Sequence, residues 1–267
     1  IYVFAIMLNS RKCPIVTIQM NYLDRIGHRE VLVNTDLHTT KVDFIRGIFQ
    51  IDVDGQDILS LRPKDRATKV AIVQQNPAIP VDLTVLQVVL MGRNPHLGLF
   101  EWEGSKDIEV CERVMGLTDT LDFSDRKLSS LSGGEMQAAS IAICLGKEAD
   151  LYLFDEPSAF LDASARMEAA KAIRRTMESN EKAAMVIDHD TYFIDIVSDS
   201  LLVFQGEGGK RGHAVGPLSL RKGMNLFLSD VDVTFRRDLE SHRPRINKPS
   251  SRKDREQKAA GEYFYAD

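Results

Sequence analysis

Two carboxylates, Asp155 and Glu156, close the apolar run Leu151 to Phe154, and Pro157 behind them stops that run from continuing as a strand. Such a run reads as a central parallel strand, and open α/β sheets bind ligands at the carboxyl ends of their strands. Asp155 therefore suits a hydrated Mg2+, which keeps several waters and takes one or two protein carboxylates. Glu156, one position on, suits the orientation of an attacking water. Upstream, Ser132, Gly133 and Gly134 precede Glu135 to Leu145, a run free of Gly and Pro that predicts a helix. Unpaired N–H groups and the positive end of the dipole at that N-terminus favour an anion, and the glycines let a phosphate approach closely. Downstream, a second apolar run, Ala183 to Ile187, feeds Asp188-His189-Asp190. Taken singly, each piece has a plainer reading: an acidic pair can merely end a strand, and Ser-Gly-Gly can be only an N-cap and turn. Together, in this order, they describe a chain that handles a nucleoside triphosphate.

LSGGEMQ (Leu131 to Gln137), LYLFDEPSAFLD (Leu151 to Asp162) and DHD (Asp188 to Asp190) resemble the signature motif, the Walker B strand with its D-loop, and the switch histidine of an ABC-type ATPase. Gln75, in VAIVQQ, resembles the family's Q-loop glutamine. The resemblance implies a Mg2+-dependent ATPase with ATP as cofactor. It puts Asp155 and Gln75 on the metal, Glu156 on the attacking water and His189 on the γ-phosphate. Ser132, Gly133, Gly134 and Glu135 would cover a nucleotide held by a second cassette in a head-to-tail dimer, and Asp162 would communicate across that dimer.

One part of the pattern departs from the family. A P-loop needs G-x-x-x-x-G-K-[ST], whose glycines open backbone geometries closed to other residues and whose lysine reaches the phosphates. The nearest segment is TDLHTTKV, Thr35 to Val42, followed by the expected helix Asp43 to Phe49. KVDFIR resembles the family's KTTFIR, which aligns Lys41, with Thr40 and Val42 beside it, to the nucleotide-binding positions. Thr35 and Thr40 stand where the family has glycine, His38 replaces a third, and Val42 lacks the hydroxyl that would reach Mg2+. β-Branched residues forced to positive φ cost on the order of 1–3 kcal/mol each, so a remodelled loop with weakened nucleotide binding is expected.

The elements that would position these residues follow from periodicity and breakers. Ile15 to Met20, Glu30 to Val33, Ile51 to Val53 and Val70 to Val73 read as strands. Val85 to Met91, Asp107 to Met115, Thr118 to Phe123 and Arg166 to Ser179 read as helices. The expected fold is α/β: a P-loop NTPase-like, mostly parallel sheet flanked by helices, with a helical subdomain over about 76–140 inside a cassette of 1–235. A C-terminal arm over 236–267 completes it.

Composition agrees with a cytoplasmic protein. The 267 residues carry three widely spaced cysteines, Cys13, Cys111 and Cys144, which indicate neither a disulfide framework nor a metal site. The run Ile1 to Leu8 falls far short of the roughly 20 residues that span a bilayer, so no transmembrane segment is expected. An N-terminal Ile suggests a fragment or a processed product. Net charge is −5, yet Arg236 to Asp267 carries nine Lys/Arg against six Asp/Glu, and the prolines there suggest an extended basic arm.

Two subfamilies share the resemblance. LTVLQVVLMGRNPHLGLF (Leu83 to Phe100) is similar to ATPases of siderophore, haem and cobalamin importers, which implies a membrane permease as partner. IAICLGKEADLYLFDEPSAFLD, LRKGMNLFLSDVDVTFRRD and the tail to GEYFYAD resemble ribosome-recycling ATPases of the RNase L inhibitor type, which implies the small ribosomal subunit and its RNA. A degenerate cassette that lends its signature turn to a partner is the third expectation.

Overall fold

The computed structural model describes residues 60–73, 82–98, 100–205, 215–238 and 244–264 in full, and backbone strands alone at 3–7, 16–21, 30–35, 38–43, 48–53, 56–57, 206–207 and 211–214. In chain order the N-terminal strands are β1 (Val3–Met7), β2 (Val16–Asn21), β3 (Glu30–Thr35), β4 (His38–Asp43), β5 (Ile48–Val53) and β6 (Gln56–Asp57). Strands β2 to β6 form an antiparallel sheet in sequence order.

This sheet overturns one expectation. Asp43 to Phe49 is not a helix: β4 ends at Asp43, and β5, beginning at Ile48, returns antiparallel so that Lys41 pairs with Gln50 and Val42 with Phe49. Thr39, Thr40 and Val42 are β-branched, and the partner strands supply Val31, Val33, Ile48 and Ile51, which favour a pleated surface.

The central sheet has the order β11-β10-β1-β9-β8-β7. After α1 (Pro63–Lys69), β7 (Val70–Val73) lies parallel to β8 (Leu151–Asp155), which lies parallel to β9 (Ala183–Asp188). The expected α/β layering is present in this half, where α4 (Gly133–Gly146) and α5 (Ala163–Asn180) flank the parallel strands. Tyr152, Leu153, Phe154, Val186 and Ile187 are buried, as strands covered on both faces must be. Beyond β9 the sheet turns antiparallel. β1 pairs against both β9 and β10 (Ser200–Glu207), and β11 (Arg211–Ser219) closes the edge.

Between β7 and β8 the chain builds a helical layer from α2 (Val85–Met91), α3 (Ser105–Leu117) and the signature helix α4. Thr84 and Gln87 form a capping box at the start of α2. Arg93, almost fully buried, ties the layer together: it pairs with Asp107 of α3 and with Glu148, and donates to the Gly146 carbonyl that ends α4. Cys111 and Cys144 are buried, and loss of hydration pushes their thiols up to about 11 and about 12, which leaves them as packed side chains. Cys13 lies outside the described residues.

The tail is not an extended arm. β12 (Phe235–Arg237) and β13 (Pro244–Ile246) form a hairpin, and α8 (Arg252–Ala260) folds back on it, while Phe264 bridges to Phe235. Buried Asn247 donates to Thr234 and Gln257, and Thr234 donates to Asp254 at 2.6 Å. That network and the Phe264 anchor outweigh the repulsion of the basic residues, which line the outside. The segment after α8 docks on α7 (Leu220–Asp230): the Phe264 N–H donates to Asn225, and Arg221 donates to Glu262.

Where α7 crosses β10, a Cβ at Gly223 would lie 2.6 Å from Leu201 Cβ, an atom fixed to the backbone of a buried strand. Overpacking costs about 1–3 kcal/mol, more than the roughly 1 kcal/mol of helix propensity that alanine would add. Gly223→Ala should therefore lower the urea midpoint without changing the slope of the transition, and an unchanged or raised midpoint would contradict this packing.

Candidate functional site

The site is built on the carboxyl edges of β8 and β9. After Asp155 the chain enters a turn held by two non-glycine residues in the left-handed region, Glu156 at φ 48° and Phe160 at φ 62°. Each costs on the order of 1–3 kcal/mol, so the turn persists only where its surroundings fix it. Five hydrogen bonds do so. The Glu156 N–H donates to the Ile187 carbonyl at 2.8 Å. Buried Gln137, from the signature helix, donates through Nε2 to the Glu156 and Pro157 carbonyls, at 3.3 Å each. Ser158 donates its N–H and its hydroxyl to Asp188, at 3.0 and 2.7 Å.

Asp188, 1% exposed, also accepts the Asp190 N–H at 2.8 Å. Burial pushes its carboxyl above the usual carboxylate range, opposed by these three hydrogen bonds. Asp190 caps α6 (Thr191–Val197) by accepting the Phe193 N–H and forms a 2.7 Å ion pair with Arg166 of α5. His189, between the two aspartates, is 70% exposed, with Nδ1 4.0 Å from Asp188. It projects outward from a backbone pinned on both sides.

Facing this edge, Ser132 caps α4 and Glu135 completes the capping box, accepting the Ser132 N–H at 2.7 Å. Arg126 grips Glu135 at 2.7 Å, and the Ser132 N–H holds the Glu135 carboxyl below the usual range. Glu135 is thus committed to the cap, which leaves the first amides of the helix to meet an anion. A Cβ on Gly134 would stand 3.0 Å from the Phe160 carbonyl, so glycine lets the signature turn and the D-loop touch. Between them opens a cavity of about 530 Å3 lined by Ser132, Gly133, Gly134, Glu135, Phe160 and Asp162. Asp162 itself caps α5, accepting the N–H groups of Ser164 and Ala165.

Among the described residues the Ser132–Glu135 turn and Asp162 line one cavity, Gln137 of the same helix reaches the turn after Asp155, and that turn is bonded to Asp188 beside His189; Asp155, Glu156 and His189 do not line the cavity. Gln75 and the Lys41 side chain lie outside the described residues. The backbone at Thr40, Lys41 and Val42 corrects the expected phosphate loop: it is an internal strand with neighbours on both sides, whose amides are drawn into ladders instead of being splayed around a phosphate. β1 runs antiparallel, and its last residue, Met7, pairs with Ala184 at the far end of β9 from Asp188. Four residues that hold the site were not singled out from sequence: Gln137, Ser158, Phe160 and Arg166. The first three lie inside the recognised motifs. Arg166 carried no local signal, because its partner is 24 residues away.

Residues 39–159 match the ABC transporter family model. The chain is 37% identical over 229 residues to the translation initiation factor RLI1 of Saccharomyces cerevisiae, an alignment covering 86% of this chain and 35% of that protein. A solved RNase-L inhibitor structure is 43% identical, with a TM-score of 0.60 over 73% of this chain and 36% of its own. A model of ribosome-bound archaeal Pelota and ABCE1 is likewise 43% identical, with a TM-score of 0.64 over 74% of this chain and 32% of its own. The chain spans about a third of the length of each.

Removing the Gln137 amide leaves the buried Pro157 carbonyl of a strained turn without its donor, while the Glu156 carbonyl keeps the Ala159 N–H, and one such loss costs about 1–3 kcal/mol. Gln137→Ala should lose that much stability in chemical denaturation, and a variant as stable as the parent would show that the turn does not depend on the signature helix.

Proposed function

The chain belongs to the ABC-type ATPases, and on that premise we propose that it works as one cassette of a head-to-tail pair whose ATP-driven closure and reopening separate a larger ribosomal assembly. The observation that carries this reading is the frame that ties the turn after the acidic pair to Asp188 beside the switch histidine and, through Gln137, to the signature helix. In it, Asp155 holds Mg2+ and Glu156 orients the attacking water. The oxygen donors at the end of β8 fit that hard cation, which asks for few protein ligands. His189 contacts the γ-phosphate, while Ser132, Gly133 and Gly134 close over the nucleotide of the partner cassette, and Asp162 sits at the seam. Gln75 completes the chain's own half-site.

The ribosomal setting draws on the similarity to a translation initiation factor and to a ribosome-bound protein. Exposed Arg245, Lys248, Arg252, Lys253 and Arg255, on β13, α8 and the turn between them, give basic groups suited to RNA phosphates. Among the described residues no helix is long and apolar enough to cross a membrane. A cytoplasmic location follows from this setting. Co-purification with a membrane permease instead of the small ribosomal subunit would transfer the chain to the importer class.

A second reading has its own observation. With Thr40 to Val42 in an internal strand, the chain's own nucleotide grip is reduced, and it lends Ser132 to Gly134 to an intact partner.

ATP turnover of the wild type beside Glu156→Gln tests the proposal. Loss of an oriented base costs about 100-fold or more, so the variant should lose turnover by that factor while a fluorescent ATP analogue still binds. Equal turnover in both proteins would end the hydrolytic reading. Turnover seen only after addition of an intact cassette would select the lending one.

A further inference from the structure

We infer that Arg166 is a positioning residue that, with Ser158, locks the switch histidine segment to the D-loop, so that His189 and Asp162 move as one body. The inference rests on the proposed role of His189 and deepens it.

The two segments are distant in sequence and doubly joined in space. The near end of the switch segment, Asp188, is held by the N–H and hydroxyl of Ser158, which follows the acidic pair by two residues. Its far end, Asp190, is held by Arg166 of α5 at 2.7 Å. Arg166 is itself one turn from the D-loop aspartate, and its N–H donates to the Asp162 carbonyl at 2.9 Å. A continuous path therefore runs from Asp162 through one helical turn to Arg166, across the ion pair to Asp190, and along the backbone to His189.

His189 has a largely exposed side chain, and both of its neighbours are tied down. Neither neighbour can shift alone. Asp188 is buried and bridges to the loop, and Asp190 divides its carboxylate, Oδ1 accepting the Phe193 N–H that starts α6 and Oδ2 accepting Arg166. The buried Arg166 Nε finds no acceptor among the described residues, so the Nη1 bond to Asp190 is what fixes the guanidinium there. A helical turn is stiff and an ion pair of this length is directional, so displacement of Asp162 or exposed Phe160 by a partner cassette reaches His189 without a bound nucleotide of its own. That suits a chain in which Thr40 to Val42, the expected phosphate loop, form an internal strand.

The test uses the full chain. Arg166→Met removes the ion pair, Asp190→Asn keeps the α6 cap through Oδ1 and removes the charge partner, and Arg166→Lys keeps the cation. Hydrogen exchange of the amides of residues 188–193 is read together with the imidazole signals of His189 in 15N-histidine NMR, assigned by their loss in His189→Ala. Opening of a single locked segment should speed exchange about tenfold in Arg166→Met and in Asp190→Asn, with no further gain in the double variant. The His189 signals should shift in both variants, and Arg166→Lys should restore them. Wild-type exchange and wild-type His189 signals in both single variants, or effects that multiply in the double, would overturn the lock.

Turnover with an intact partner cassette separates this from the functional reading. If His189→Ala turns over ATP like the wild type, the assigned role of His189 fails whatever the exchange shows. If His189→Ala is inactive while Arg166→Met keeps both kcat and KM, the lock fails and the assigned role stands.

Discussion

A buried carboxylate accepting three donors is the constraint on which the site rests. Asp188 is almost wholly removed from water, and a carboxylate there is tolerated only when its lone pairs are met. Ser158 supplies two donors and the Asp190 amide a third. Meeting that demand draws the turn after β8 over the end of β9 and fixes where Glu156 must lie. The same demand explains how two residues can hold left-handed backbone conformations in a five-residue stretch: the strain is offset by satisfying a group that could not otherwise remain buried.

From that turn, order spreads outward by helix caps. Asp162 starts α5, Asp190 starts α6, and Ser132 with Glu135 starts α4. Each cap residue lies in a motif that would otherwise be read purely as ligand-binding. The division of labour is clearest at Glu135, whose carboxylate is spent on the Ser132 amide and Arg126, while the neighbouring glycines keep their amides at the open end of the helix. Gln137, a little further along the same helix, reaches back to the carbonyls beside the acidic pair, so the signature helix and the turn after β8 share one frame.

The tail obeys a different balance. A run of basic residues with interspersed prolines would stay extended if charge alone decided, but Thr234, Asn247, Asp254 and Gln257 pair in a buried polar cluster capped by Phe235 and Phe264. The charges are left on the outer face, where they remain solvated and available to a polyanion. Arg93 does for the helical layer what that cluster does for the tail, binding α3 and the end of α4 through a buried guanidinium.

Local chemistry was legible from the amino-acid sequence. The apolar run ending at Asp155, the Thr84 and Ser132 starts of helices, the strand before the DHD and the family resemblance all arise within a few residues of one another, where propensity, periodicity and cap chemistry act. What required the tertiary structure was pairing over distance. Thr40 to Val42 reads as a phosphate loop by its lysine, yet β-branched side chains and two neighbouring strands make it an internal strand, a choice that depends on partners the segment itself does not contain. The reversed direction of β1, the Ser158 bonds to Asp188 and the Arg166 pair with Asp190 join residues far apart in the chain. Such contacts leave no periodic trace, because their geometry exists only once the sheet and its helices have closed around them.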